Sequence, residues 1–408
     1  VSMDNGSAAA DRLDPVSSST ATCALPAALL PKVDAAYGFL DDRVGEYGAG
    51  DSLRLPRSYV GGHLGSIGFT SSFVYDDALV VLASLARGGQ ADLDRAVAVG
   101  NALAWAQEND PQADGRIRNS YQPDPFVSPG GAPVIGSATA STGNQAWVGM
   151  AWVRLYQATG NARYLNSAHR MALWIEQTQS SSTGVPGYRG GRTDADGAIL
   201  WKSTEHNLDV AAFFRLLAGA TGQTDWLVHA DRAIAFVHAM RSDAGYFYTG
   251  VTDDGATVNR TPVPLDAQAW TFLSTKRADD GLALDWAHTT LAATDGVLTG
   301  VSVSTADTSR VWLEGTAQLA LAVRQRGGPG DAARADVLDA TLWRAQAVAP
   351  NADGRGIVAS SSDGLDSGFG DLVYASLHTG TTAWALFAAL QVNPFDTAAP
   401  ARSSLCSG

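Results

Sequence analysis

Short apolar segments of similar composition recur six times along the chain. Each continues into a stretch that would be apolar on most faces of a helix, as in the run from Ala146 to Tyr156. A helix without a continuous polar face is buried on most sides. The six segments therefore predict six interior helices. Their aligned alanines are spaced 48 to 68 residues apart, at Ala78, Ala146, Ala211, Ala269, Ala317 and Ala383.

A more polar helix with one apolar stripe is predicted after each interior helix. One such stripe runs through Leu165, Ala168 and Ala172, positions that share a face of an α-helix. Gly160 and Gly222 lie at the turns between partner helices, where a helix C-terminus favours glycine. These helices are therefore predicted to form a solvated outer layer.

Six interior helices that alternate with outer helices predict an all-α fold, an (α/α)6 toroid of six helical hairpins. The count closes if a helix within residues 25–44 packs outside the last interior helix. We therefore expect one catalytic domain over residues 23–408, preceded by a flexible segment at residues 1–22. An open helical solenoid, whose ends lie far apart, is the alternative.

Four segments rich in Gly, Ser and Pro precede interior helices. They cover residues 119–142, 179–203, 243–264 and 350–378. Long segments without regular structure in a compact domain usually carry function, so we predict long loops around a functional site. Three Asp-Gly fragments inside them resemble pieces of calcium loops, but the remaining ligands are missing at the required spacing. We interpret these fragments as turns.

The composition restricts the possible partners. The 408 residues carry 41 acidic side chains against 28 Lys and Arg, a formal net charge of −13. This balance offers no basic face for a nucleic acid, and no run of residues is apolar for the roughly 18 positions of a membrane span. We expect a monomer without metal or cofactor. The 11 tryptophans are an unusual excess.

Acidic residues are concentrated where the interior helices begin. In a ring of helical hairpins these N-termini meet at one mouth, and their acids are Asp76, Asp77, Glu205, Asp209, Asp266 and Glu314. Acids also complement the helix dipole, so capping is an alternative role for each one. Crowded carboxylates raise one another's pKa. A protonated carboxyl near an ionised carboxylate is what hydrolysis of a glycosidic bond requires.

Four segments of the chain resemble bacterial six-hairpin glycosidase-like proteins. These segments are residues 72–79, 203–209, 264–270 and 312–318, and the similarity extends from about residue 37 to residue 395. The resemblance implies a toroid that acts on carbohydrates, since this superfamily includes endoglucanases, glucoamylases, unsaturated glucuronyl hydrolases and sugar epimerases. Its hydrolases mostly invert the anomeric configuration, so inversion is expected here.

The acids at the mouth lead to a prediction of catalytic roles. Glu205 is predicted to be the general acid, because it follows a long loop and is crowded by its neighbours. Asp266 is the preferred base, with Asp76 and Glu314 as rival carboxylates. The predicted partner is a neutral poly- or oligosaccharide. The side chains predicted to bind it are Tyr75, Asp77, Asn144, Trp147, Trp201, His206, Asn207, Asp209, Gln268, Trp312 and His378.

Three other functions stay open. A polysaccharide lyase would use Tyr75 or His206 as base, with Arg189 or Arg192 neutralising a uronate. A sugar epimerase of this fold would use paired histidines, and His206 and His378 are the candidates. A toroid that only binds glycans would keep the tryptophans but would not need the acids.

The two cysteines lie near opposite ends of the chain, at Cys23 and Cys406. A closed ring would bring them together, so a disulfide is predicted. Disulfides persist in oxidising compartments, and we predict a secreted or cell-surface bacterial protein from which a signal peptide has been removed. The residues at the start of the chain have neither a basic nor an apolar leader region, so an intracellular location is the alternative.

Overall fold

The computed structural model describes residues 21–47 and 53–408. In chain order the helices of this part are α1 (Leu30–Gly45), α2 (Gly62–Ser66), α3 (Val74–Arg87), α4 (Gln90–Glu108), α5 (Thr142–Thr159), α6 (Ala162–Gln179), α7 (Thr204–Thr221), α8 (Asp225–Ala239), α9 (Leu265–Thr275), α10 (Leu282–Thr290), α11 (Leu313–Arg326), α12 (Asp331–Val348) and α13 (Thr379–Leu390). The predicted flexible segment at residues 1–22 lies outside the described residues, apart from its last two.

The strands are short. They are β1 (Thr22–Cys23), β2 (Tyr59–Val60), β3 (Ser72–Phe73), β4 (Ser120–Tyr121), β5 (Ile135–Ser137), β6 (Ala140–Ser141), β7 (Ser180–Ser181), β8 (Gly187–Tyr188), β9 (Gly191–Arg192), β10 (Ala198–Ile199), β11 (Lys202–Ser203), β12 (Gly250–Val251), β13 (Val258–Asn259), β14 (Ala292–Asp295), β15 (Leu298–Val301), β16 (Ile357–Val358), β17 (Leu365–Asp366), β18 (Leu372–Val373), β19 (Leu377–His378) and β20 (Cys406–Ser407).

Six of the helices form a closed inner ring. They follow one another as α3, α5, α7, α9, α11 and α13, and α13 packs against α3. The helices α4, α6, α8, α10 and α12 each pack outside the inner helix that precedes them, and α1 packs against α13. The predicted (α/α)6 toroid is confirmed, with α1 as the outer helix expected within residues 25–44. The contact between α13 and α3 excludes the open solenoid.

The segments predicted to be long loops contain most of the strands. Two-residue strands lead directly into four inner helices: β3 into α3, β6 into α5, β11 into α7 and β19 into α13. Each of them belongs to a three-stranded antiparallel sheet. Alternation of polar and apolar residues cannot be recognised over two positions, so the sequence showed only loops. The small sheets hold the N-termini of these helices in place around the mouth.

Side chains at the fourth position of the inner helices hold the preceding segment. Oδ1 of Asn207 accepts a hydrogen bond from the N–H of Tyr188 at 2.9 Å, and its Nδ2 donates to the carbonyl of the same residue at 3.2 Å. Gln268 pairs in the same way with Phe247, at 2.8 and 2.9 Å. Both amides are fully buried. The prediction that Asn207 and Gln268 bind substrate is therefore wrong, because their polar atoms are used by the backbone.

The helix boundaries also correct the alignment of the third repeat. In the other five repeats the aligned alanine is the fifth residue of its inner helix. Because α7 begins at Thr204, Leu208 occupies this place and not Ala211. The error arose because Ala211 lies almost one helical turn further along and shares the same buried side.

The two ends of the domain meet. Cys23 and Cys406 form a disulfide with an S–S distance of 2.02 Å, and β1 pairs with β20 around it. The predicted disulfide is confirmed, as the closure of the ring requires. None of the helices in the described part of the chain combines the length and the apolar character of a membrane span.

Candidate active site

The second and sixth residues of the inner helices form two layers. Residues four apart lie on the same side of an α-helix, so each second residue stands above a sixth. The upper layer is Tyr75, Gly143, Glu205, Asp266, Glu314 and Gly380, and the lower layer is Leu79, Trp147, Asp209, Trp270, Gln318 and Trp384. The upper layer brings three acids to the mouth.

Two neighbouring cavities open at this mouth. The first has a volume of about 690 Å³, and Glu205 and Asp266 contribute to its wall. The second has a volume of about 550 Å³ and is lined by Asp76 and Glu314, among others. Val303 lines both cavities. The two cavities therefore adjoin at Val303, with a carboxyl pair in the first and separate carboxyl groups in the second, and we call them together the cleft.

The carboxyl groups of Glu205 and Asp266 are hydrogen-bonded to each other. Two carboxyl groups in such contact hold a proton between them, because two charges at this distance repel. Burial raises the pKa of Glu205 well above its usual value, and the charges of Asp266 and Glu314 raise it further. Burial also raises the pKa of Asp266. The pair is therefore suited to donate a proton near neutral pH.

This contact corrects the predicted division of roles. The acid and the base of a glycosidase stand on opposite sides of the bond, at least about 5 Å apart. Glu205 and Asp266 touch, so a sugar ring or an attacking water does not fit between them. The two carboxyl groups therefore do not stand apart as a separate acid and base in this structure.

Glu314 faces the second cavity and is 5% exposed. Its Oε1 accepts hydrogen bonds from the hydroxyl of Tyr75 at 2.6 Å and from Nε2 of Gln318 at 3.3 Å. Burial raises the pKa of Glu314 to about 7, although the charge of His378 and the hydrogen bond from Tyr75 act in the opposite direction. A carboxyl group with such a pKa changes its charge near neutral pH.

Asp76 is paired with His378 beside Glu314. Nε2 of His378 lies 3.0 Å from Oδ1 of Asp76, and Nδ1 accepts a hydrogen bond from the N–H of Thr381 at 3.2 Å. The ring of Tyr59 stacks on the imidazole with 4.3 Å between the centroids. His378 is therefore held on both edges and on one face, and it orients Asp76 in turn.

Asp77 follows Asp76 directly but lies in other surroundings. It is fully buried and accepts hydrogen bonds from the hydroxyl of Ser72 at 2.8 and 3.0 Å. Burial raises the pKa of Asp77 well above its usual value. One residue corresponds to a rotation of about 100° around a helix, so neighbouring acids face different sides. The prediction that Asp77 binds substrate is wrong.

The lower layer closes the floor beneath the cleft. Trp147 is 1% exposed and packs edge to face against Trp270 and Trp384, at centroid distances of 5.5 and 6.1 Å. It lines neither cavity. The prediction that Trp147 is a platform for sugar rings is therefore wrong, and its indole fills the centre of the toroid.

Asp209 is also part of the floor. It is fully buried one helical turn from Glu205, and the indole N–H of Trp147 lies close enough to its carboxyl group to lower its pKa as a hydrogen-bond donor. Burial, with the charges of Glu205 and Asp266, raises the pKa of Asp209 well above its usual value. A charge buried among other acids is costly, so these surroundings favour the neutral form of Asp209. Because it lines neither cavity, its predicted contact with substrate is wrong.

The remaining predicted residues do line the cleft. Trp201 and His206 belong to the first cavity, and Asn144, Tyr75, Trp312 and His378 belong to the second. Sequence reasoning missed Tyr59 and Gln318. Gln318 could have been found as the residue four positions after Glu314, whereas Tyr59 precedes the first inner helix and carries no repeat signal. Within the described residues, no group of three or more His, Cys, Asp or Glu could hold a metal ion.

Solved structures of carbohydrate-active enzymes share this architecture. A D-mannose isomerase aligns over 93% of this chain and 99% of its own, with a TM-score of 0.67 and 12% identity. The cellobiose 2-epimerase of Spirochaeta thermophila aligns over 91% and 100%, with a TM-score of 0.62 and 12% identity. A glycoside hydrolase family 76 mannosidase of Bacteroides thetaiotaomicron aligns over 89% and 98%, with a TM-score of 0.61 and 13% identity.

The sequence itself is more distant from known proteins. No protein-family model matches it, and no curated protein matches it. Similarity at 12 to 13% identity establishes the fold and leaves the reaction open. The closed ring of six hairpins and these structural neighbours together show that the chain has the (α/α)6 toroid fold.

Proposed function

We propose that this protein is a glycoside hydrolase that cleaves a neutral poly- or oligosaccharide. The observation that carries the proposal is the arrangement of carboxyl groups in the cleft. Glu205 and Asp266 hold a proton on one side of Val303, and Glu314 stands on the other side. Hydrolysis of a glycosidic bond needs one group that protonates the leaving oxygen and one carboxylate that activates water.

The Glu205–Asp266 pair supplies the proton. The bond between the anomeric carbon and the leaving oxygen breaks as that oxygen takes the proton from Glu205. The donation leaves Glu205 and Asp266 both ionised, and their mutual repulsion favours the return of a proton through solvent from Glu314 once the product has left. A raised pKa favours this role, because the donor must still carry its proton at the working pH.

Glu314 supplies the base. Water attacks the anomeric carbon and passes one proton to the carboxylate of Glu314. A pKa of about 7 suits a general base, because the group is then ionised at the upper end of the neutral range and still accepts a proton readily. We expect inversion of the anomeric configuration, because in this route water attacks the anomeric carbon directly and no covalent intermediate forms. The configuration of the first product in a proton NMR spectrum tests this expectation.

The charge of the cleft favours a neutral substrate. Asp253 and Asp254 add to the carboxyl pair in the first cavity. Lys202 also borders that cavity, but its Nζ is used in hydrogen bonds to the carbonyls of Thr183 and Val185, at 2.8 and 2.7 Å. A uronate would therefore meet repulsion, since Lys202 is the one Lys or Arg among the described residues that line the two cavities. The lyase alternative is disfavoured for this reason.

Aromatic side chains suit the binding of sugar rings at both ends of the cleft. Trp201 is 38% exposed at the first cavity, and Trp312 is half-buried at the second. The apolar face of a sugar ring packs well on an indole. The fold shared with a mannosidase, an epimerase and an isomerase supports carbohydrate as the substrate class.

A screen of neutral polysaccharides tests the proposal. Glucans, mannans and furanosidic polymers are incubated with the protein, and released reducing ends are measured together with the absorbance of unsaturated uronates. We expect reducing ends without that absorbance. On the substrate found, Glu205→Gln and Glu314→Gln should each lower kcat by about 100-fold to 10,000-fold. Glu108→Gln is the matched control, because Glu108 lies at the end of an outer helix and pairs with Arg163 on the surface.

Two results would overturn this assignment. Full hydrolytic activity in both Glu205→Gln and Glu314→Gln would remove the carboxyl groups from the mechanism. Binding of glycans without any turnover would favour the alternative of a toroid that only binds them.

A sugar epimerase or isomerase is the second candidate. The buried Asp76–His378 pair favours it, because a histidine oriented by a carboxylate can move a proton next to a carbonyl group. His206 in the first cavity is a further candidate base, since burial lowers its pKa to about 4 and keeps the imidazole neutral. Free sugars incubated in D₂O distinguish the two reactions. Incorporation of deuterium at carbon, without new reducing ends from polysaccharides, would replace the hydrolase proposal.

We further propose that the protein works outside the cytoplasm. The Cys23–Cys406 disulfide supports this, because such bonds persist in oxidising compartments. Fractionation of the producing cells and detection of the protein in the medium or at the cell surface test the location.

A further inference from the structure

The hydrogen bonds around Tyr75 permit only one arrangement of its proton. The indole Nε1 of Trp384 lies 3.0 Å from the hydroxyl oxygen of Tyr75, and a tryptophan N–H can only donate. The hydroxyl of Tyr75 therefore accepts from Trp384 and directs its own proton to Oε1 of Glu314, 2.6 Å away. The direction of this chain follows from the chemistry of the indole and is independent of pH in the neutral range.

The two oxygens of Glu314 consequently have different roles. Oε1 accepts the hydroxyl proton of Tyr75 and an amide proton of Gln318. Oε2 forms no hydrogen bond within the described residues, and the nearest ionisable group there is the imidazole of His378, whose Nδ1 lies 3.8 Å away. A proton that binds Glu314 is therefore favoured on Oε2, because on Oε1 it would compete with the protons of Tyr75 and Gln318.

We propose that Tyr75 is a positioning residue that occupies Oε1 of Glu314 and leaves Oε2 as the oxygen that accepts the proton of the attacking water. The inference rests on the proposed function for the role of Glu314. It also revises the sequence-based interpretation of Tyr75, which was expected to contact the substrate. Its hydroxyl uses its only proton in the hydrogen bond to Glu314, and its oxygen accepts the hydrogen bond from Trp384. The hydroxyl therefore has no proton left to donate to a substrate.

The Tyr75 hydrogen bond also sets the pH at which Glu314 becomes a base. A donor to a carboxylate stabilises the ionised form, so this hydrogen bond lowers the pKa of Glu314. Other ionisable groups act on Glu314 from the neighbouring inner helices, namely Asp76 of α3, Glu205 of α7, Asp266 of α9 and His378 at the start of α13. These groups all remain when the Tyr75 hydroxyl alone is removed.

The variant Tyr75→Phe tests the proposal. It keeps the ring and removes the hydroxyl, so the pKa of Glu314 should rise by about one unit, the size expected for one hydrogen bond to a charged group. In the pH profile of kcat the acid limb should move upward by the same amount, while KM stays within a factor of two. A contact to substrate would instead raise KM and leave the limb in place. Tyr246→Phe is the matched control, because Tyr246 packs on Trp286 away from the cleft.

A direct titration separates this inference from the proposed function. The chain contains only five glutamates, Glu46, Glu108, Glu176, Glu205 and Glu314, so the carboxyl carbons of ¹³C-labelled glutamate can be followed individually by NMR. Glu314→Gln assigns the signal of Glu314. An upward shift of the pKa of Glu314 in Tyr75→Phe supports the positioning role even if no hydrolysis is found. In that case only the proposed hydrolase function is refuted. An unchanged titration and an unchanged acid limb in Tyr75→Phe would refute the positioning role even if the enzyme is a hydrolase.

Trp384→Phe provides a second variant for the same measurement. The indole donor makes the hydroxyl of Tyr75 more acidic and so a stronger donor to Glu314. Its loss should raise the pKa of Glu314 by less than the loss of the hydroxyl itself. A larger shift in Trp384→Phe than in Tyr75→Phe would contradict the direction of the hydrogen-bond chain.

Discussion

Nε2 of His378 lies 3.0 Å from Oδ1 of Asp76, and this contact joins the last inner helix to the first at the mouth of the ring. Both side chains are almost completely buried. Removal of one partner leaves the other without a hydrogen bond in surroundings of low polarity, which is costly. The pair therefore contributes to ring closure as well as to the cleft.

We expect Asp76→Ala to lower the free energy of unfolding by about 3 kcal/mol, because it leaves the buried Nε2–H of His378 without its acceptor. Asp76→Asn keeps an oxygen that accepts from His378 and should lose about half as much. Urea denaturation at pH 7 measures both variants. Asp34→Ala serves as the control, since Asp34 is an exposed acid of α1 that pairs with Arg87 on the surface. Equal loss in Asp76→Ala and Asp76→Asn would show that this hydrogen bond does not stabilise the ring.

The stability of the protein should fall as the pH rises through the neutral range. The pKa of Glu314 is about 7 in the folded protein and 4.5 in an ordinary environment, so between these values the folded state binds more protons than the unfolded state. The stabilisation of the folded state by protonated Glu314 is complete below pH 4.5 and is lost as the pH rises to about 7. The two and a half pKa units between these values correspond to roughly 3 kcal/mol.

Glu314→Gln isolates this contribution. The amide cannot ionise, so the variant should show a smaller decrease in the free energy of unfolding between pH 4.5 and 8. At pH 8 it should be more stable than the wild type. Urea titrations at four or five pH values measure the slope. The same slope in Glu314→Gln and in the wild type would contradict the raised pKa.

Truncation of Trp147 should mainly lower the stability of the protein, whereas truncation of Trp201 should mainly weaken substrate binding. Trp147→Ala leaves a cavity in the floor and should lower the free energy of unfolding by about 3–5 kcal/mol. Trp201→Ala removes a partly exposed ring from the first cavity, so it should cost less than about 1 kcal/mol and raise KM several-fold. Thermal unfolding and steady-state kinetics separate the two effects. A wild-type KM in Trp201→Ala would exclude a contact between this ring and the substrate.

The disulfide should stabilise the closed ring. It connects residues 383 positions apart, so it removes much of the freedom of the unfolded chain. The double variant Cys23→Ser and Cys406→Ser should lose roughly 2–5 kcal/mol of stability. Addition of dithiothreitol should lower the Tm of the wild type to that of the variant and leave the variant unchanged. A Tm of the wild type that is insensitive to complete reduction would contradict this.

The six-fold repeat, the two layers of helices and the position of the cleft could be predicted from the sequence, because they depend on local patterns. A buried helix needs apolar residues on most faces, and an outer helix needs one stripe, whatever the rest of the chain does. The ring then required that the chain ends meet, which gave the disulfide of Cys23 and Cys406. The concentration of acids at the helix N-termini located the cleft in the same way.

The roles of individual residues were not accessible in this way. Asp76 faces the cleft and Asp77 does not, although both are acids in the first turn of α3. The difference depends on the residue at which the helix begins, and this is fixed by the strand that leads into it. Asn207 and Gln268 look like ligands for sugar hydroxyls in the sequence, but their partners are backbone groups 19 and 21 residues away.

The sequence by itself determined the number of helical hairpins, their order and the acidic character of the mouth, because periodicity and charge are properties of short segments. Only the tertiary structure decided that Glu205 and Asp266 form one proton-holding pair, that Glu314 is held by Tyr75 and that Trp147 belongs to the floor. These relationships join side chains from different hairpins. Their distances depend on how the hairpins pack around a common axis, which no single segment encodes.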